Sequence, residues 1–144
     1  NSVKAAERST SLRSEIYQTI GGDLNDIYAY LAFVGGWKAL SPPEVITRKR
    51  AVDKAMYTYR PFFSPELFAS YRQFMNEAFE AHGRPGEDAR IRSSIASAHG
   101  DRSLHAAAAW EPDWASRFSG ETNVAAQRAA YERFLAQLAR DLKV

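Results

Sequence analysis

The chain has 144 residues, 45% of them hydrophobic and 25% charged, with a formal net charge of +2. A chain of that length can bury roughly two-thirds of its unfolded surface, and the composition is not that of a disordered segment. The absence of cysteine excludes disulfides, thiolate chemistry and cysteine-based zinc sites, and two surplus positive charges fall short of the clustered basic excess of a nucleic-acid module despite a pI near 9.0.

Helical periodicity runs through nearly the whole sequence. Ile20, Leu24, Ile27, Leu31 and Val34 step by four, three, four and three, and Leu12 and Ile16 extend this seam backwards. The spacing predicts one long helix from about Val3 to Leu40, with bends at Gly21-Gly22 and near Gly35-Gly36. A second row, Tyr30, Phe33 and Trp37, continued by Leu40, lies on another side of this helix. The helix is therefore apolar nearly all round in its C-terminal half. That pattern reads as a central core helix or, on the sharper reading, as a stripe that binds a partner.

Ser41-Pro42-Pro43-Glu44 stops the first helix and starts a second, with Ser41 and Glu44 spaced as a capping box. Val45, Val52, Met56 and Tyr59 mark its inner face, and Arg60-Pro61 ends it. Ser64-Pro65 opens a third helix running to about His82, with Leu67, Phe68, Tyr71, Phe74, Met75, Ala78 and Phe79 on a broad apolar face and Gly83 as its cap. After the loop Gly83-Arg84-Pro85-Gly86, acidic Glu87 and Asp88 predict a short helix carrying Ile91 and Ile95 and closed by Gly100. Asp101 predicts the cap of a further piece through Ala106–Ala109, and Trp110 and Trp114 flank a turn into one more helical turn. The last helix is expected from about Thr122 to Leu142, with Val124, Tyr131, Leu135, Leu138 and Leu142 as its seam. No segment alternates as a strand. The expected fold is all-α: a bundle of four main helices with additional short helices between the third and the last, in a single domain spanning residues 1–144.

The groupings that suggest chemistry have plainer explanations. His82 and His99 each precede a glycine at an expected helix end, where a ring suits the terminal carbonyls, and His105 has no partner at zinc spacing. The carboxylate pairs Asp23/Asp26 and Glu77/Glu80 lack the Glu-x-x-His elements of a di-iron bundle and read as helix surface. Arg48, Lys49, Arg50 and Lys54 are dispersed around a helix, and Lys49 has Asp53 four residues on as an ion-pair partner. Arg84, Arg90, Arg92 and Arg102 form a loose basic group around the irregular segment, interleaved with Glu87, Asp88 and Asp101. No phosphate loop, nucleophile elbow or dinucleotide fingerprint occurs.

No catalytic residue, metal ligand or cofactor is therefore expected, and no nucleic-acid partner. The sequence points to a non-enzymatic helical protein-interaction or sensor-type domain, with a protein partner or self-association through the first helix. The alternative is a small-molecule-binding bundle, and the second alternative an enzyme whose site carries no familiar motif. The expected binding residues are Tyr28, Tyr30, Phe33, Trp37 and Tyr59. No run of about 18 apolar residues occurs that could span a membrane. A start at Asn1 reads as a processed product or a fragment of a longer chain, consistent with the soluble part of an anchored protein.

Overall fold

The computed structural model of the chain describes residues 2–81 and 88–143. It is mostly helical, with four long helices and two small sheets. Helix α1 spans Ser2–Ala32 and passes through Gly21-Gly22 without a break. The predicted seam is its buried face: Ile16, Ile20, Leu24, Ile27 and Leu31 are all buried.

The helix does not reach Leu40. Phe33 and Gly35 both have left-handed backbone, with φ of 56° and 58°, so the chain turns out of α1 after Ala32. Val34, expected on the seam, is instead 50% exposed. A 3-10 turn, Trp37–Ala39, then brings Trp37 and Leu40 back to the core. Of the second row, Tyr30 is buried within α1 and Phe33 is half-buried, whereas Trp37 and Leu40 are buried through the turn and not by a continuous helix.

Helix α2, Pro42–Thr58, opens with the predicted capping box: the Glu44 N–H donates to Ser41 Oγ at 3.4 Å, and the Ser41 N–H donates to Glu44 Oε1 at 3.2 Å. Helix α3, Pro65–Ala78, opens with Ser64 accepting from the Leu67 N–H at 3.1 Å. It ends four residues before His82, because Phe79–Glu80 goes extended as strand β1 and pairs antiparallel with β2, Arg90–Ile91. The Gly83 cap and the Glu87 helix start lie outside the described residues.

The irregular segment differs most from expectation. Where a short helix was predicted around Ile91 and Ile95, the chain forms β2 and then a hairpin of β3, Ala96–Ser97, and β4, Gly100–Asp101. His99 therefore sits in a hairpin turn and not at a helix end. Asp88 starts no helix; its carboxylate pairs with Arg50 and accepts from the Ala89 N–H. Asp101 does cap a helix, accepting from the Ser103 N–H at 2.9 Å, but this α4, Arg102–His105, stops before the alanine run. A 3-10 segment, Pro112–Arg117, follows, with Trp110 against Trp114 edge to face at 5.2 Å.

Helix α5 spans Val124–Leu142 behind an Asn123 cap. Phe134, Leu138 and Leu142 are buried, whereas Val124, placed on the seam by spacing, is exposed in the first turn. One hydrophobic cluster takes side chains from α1, α2, α3 and α5. The broadest helix faces join α1 to α2 and α3 to α5, and α1 also meets α5. Buried Gln127 ties α5 to the irregular segment, donating to the carbonyls of Glu77 and Arg92 at 3.0 and 2.8 Å.

Candidate functional site

Three of the five expected binding residues come together. Tyr30, in the last turn of α1, and Phe33, just beyond it, face the guanidinium of Arg102, which lies 4.5 Å and 3.7 Å from their ring centres. Trp37 meets Phe33 edge to face at 5.0 Å. Tyr28 is elsewhere, stacked on Tyr131 of α5 with ring centres 4.0 Å apart. Tyr59 caps the far end of α2, about 25 Å along that helix from Pro42 at 1.5 Å per residue.

Arg102 is the residue that sequence reasoning missed. It is only 1% exposed, yet no carboxylate pairs with it among the described residues. Its partners are neutral: it donates to the Tyr30 carbonyl at 2.5 Å, to the Ser94 carbonyl at 2.5 Å and to Ser93 Oγ at 3.0 Å. Helix α1 has no basic residue in its last turn, so its terminal carbonyls need an outside donor, and a cation there also meets the negative end of the helix dipole. Burial lowers the Arg102 pKa to about 10, which leaves it protonated at neutral pH. Burial also raises the Tyr30 phenol well above its ordinary value. Arg92 does the same service for α3, donating from Nε to the carbonyls of Asn76 and Phe79 at 2.9 and 3.1 Å. The cluster of Tyr30, Phe33, Trp37 and Arg102 thus seats the irregular segment on the end of α1, and buried Tyr30 Oη and Arg102 Nε have no hydrogen-bond partner among the described residues.

A groove of about 370 Å³ opens between α2 and α3. Lys49 and Asp53 stand one turn apart on α2, and Lys49 Nζ donates to Asp53 Oδ2 at 2.7 Å, the ion pair expected from their spacing. Tyr71 of α3 donates its hydroxyl to Asp53 Oδ1 at 2.5 Å. Burial first, and the bond to Asp53 second, raise the Tyr71 phenol far above its ordinary value. The phenol is therefore held as a neutral donor and is poorly suited to act as a general base. Lys49 Nζ also lies 5.7 Å from the centre of the Phe79 ring. This arrangement can hold a ligand; it carries no nucleophile paired to a base.

The third feature is the start of α1. Through residues 5–15 no side chain is fully buried, although Leu12 packs half-buried against the core, and among the described residues Ile16 is the first that is fully buried. Among the described residues no group of three or more acidic or histidine side chains gathers to hold a metal ion, and no helix is long and apolar enough to cross a membrane. Compared with family models, with curated proteins and with solved structures, the chain gives no match.

Proposed function

We propose that the chain is a non-enzymatic helical interaction or sensor-type domain that pairs through the N-terminal part of α1 with α1 of a second copy. The observation that carries this reading is the largely exposed stretch at residues 5–15, about 16 Å of helix with no fully buried side chain, along which Leu12 packs half-buried against the core. Most helical stability comes from packing of an apolar face, so a stretch with so little core contact gains stability from a partner surface.

Two features favour a second copy. Ala6, Thr10, Arg13 and Tyr17 recur at four, three and four residues, the interval of a helix-pairing seam, and the small Ala6 and Thr10 allow close approach at one end. Arg8 and Glu15 lie on either side of the centre of that row, so two antiparallel copies can set acid against base. In this reading the four long helices form one bundle and residues 1–144 form one domain. The shared core cluster supports both points.

Sedimentation across a wide concentration range tests the pairing. The expected result is a reversible dimer that Ala6→Glu converts to monomer with unchanged helicity, because Ala6 is exposed. A wild-type monomer throughout the range overturns the reading, as does a dimer indifferent to Ala6→Glu.

A further inference from the structure

We infer that the groove between α2 and α3 binds a small aromatic monocarboxylate. Its acidic group is already engaged: Asp53 accepts from Tyr71 on one oxygen and from Lys49 on the other. Two neighbouring polar side chains are not. Arg72 and the Asn76 side-chain amide line the same groove and make no hydrogen bond or ion pair with another described residue. Lys49 has three N–H donors and gives one to Asp53.

Charge decides the class of ligand. Lys49 and Arg72 against Asp53 leave one positive charge in the groove, which a monoanion balances and a dianion exceeds beside the Asp53 carboxylate. A carboxylate also matches the planar fork of a guanidinium, through two parallel hydrogen bonds. The apolar part of the ligand has its own wall: buried Met75 and Phe79 line the groove together with Tyr57, which is 56% exposed. A volume near 370 Å³ lies at the small end of ligand pockets, which are about 300 to 1,000 Å³.

The two methionines make the test specific. Met75 lines the groove, whereas Met56 is fully buried in the core and does not. With methyl-labelled methionine in the whole chain, benzoate and 3-phenylpropionate are titrated and the two methyl resonances followed. The Met75 signal is expected to shift and saturate while Met56 stays still. Arg72→Ala, at an exposed position, is expected to weaken binding about tenfold or more, the usual worth of a charge-assisted pair. Arg72→Lys should recover part of that loss. No saturable Met75 shift up to about 20 mM carboxylate, below even the weakest useful affinity, overturns the inference. So does an equal response to benzamide, equal affinity for inorganic phosphate, or binding unchanged in Arg72→Ala.

Discussion

The guanidinium of Arg102 donates to the carbonyl of Tyr30 at 2.5 Å and lies 4.5 Å from the centre of the same residue's ring. One side chain thus meets the carbonyl end of α1 and covers the aromatic residue in its last turn. The two residues are 72 positions apart, so this contact fastens the irregular segment to the first helix.

Removing that side chain should be costly. A buried charge can often be replaced by an apolar residue of similar size without loss, since its desolvation is relieved as well. Here the replacement also strands the acceptors at Tyr30, Ser94 and Ser93, and a buried unsatisfied group costs about 1 to 3 kcal/mol. Arg102→Met is therefore expected to lose about 2 to 4 kcal/mol, and Arg102→Ala more, through the added cavity. Urea denaturation measures both. An Arg102→Met variant as stable as wild type would mean that relief of desolvation outweighs the stranded carbonyls.

The turn that follows α1 is equally tight. A Cβ added at Gly100 would stand 3.1 Å from Phe33 Cδ1 and 3.2 Å from two atoms of the Trp37 indole. The rings are held by each other and by Arg102, so they have little room to yield. Gly100→Ala is expected to cost about 1 to 3 kcal/mol, the usual penalty of overpacking. In a Trp37→Phe background, where the indole's outer atoms are gone, the same change should cost clearly less. A four-member stability cycle gives the coupling, and strictly additive costs would show that the close approach is not what matters.

These two sites show where sequence reasoning stops. The Ile16-to-Leu31 seam and the caps at Ser41 and Ser64 were legible because each depends on residues a few positions apart. The end of α1 was not, because a left-handed Phe33 has no preference written in its own side chain; φ above zero is uncommon for any residue with a Cβ. Strands of two residues are too short to show a period, so Phe79–Glu80 read as helix and Arg90–Ile91 as part of another. Arg102 read as one of a loose basic group, since only tertiary structure brings the Tyr30 and Ser94 carbonyls to it. Half of the α2–α3 groove was visible as the Lys49–Asp53 pair, while Tyr71 reaches it from another helix.

Asp23 gives a prediction whose sign is opposite to that of most paired carboxylates. Arg48 lies between Asp23 and Asp26, but Nε is 3.0 Å from Asp26 and 3.8 Å from Asp23. Burial raises the Asp23 pKa above its ordinary 3.8, Arg48 pulls it back only in part, and Asp26 raises it further. The folded state therefore holds the Asp23 proton more tightly than the unfolded state does. Where the unfolded state binds fewer protons, stability falls as pH rises, so Asp23 weakens the fold above its raised pKa and this weakening is relieved on acidification toward 3.8. Asp23→Asn, neutral at every pH, should be at least as stable as wild type near neutrality, and that advantage should shrink as the pH falls to about 4. Urea midpoints for the two proteins at both conditions measure the difference. An advantage that grows on acidification would mean that attraction to Arg48, rather than burial, governs the Asp23 carboxyl.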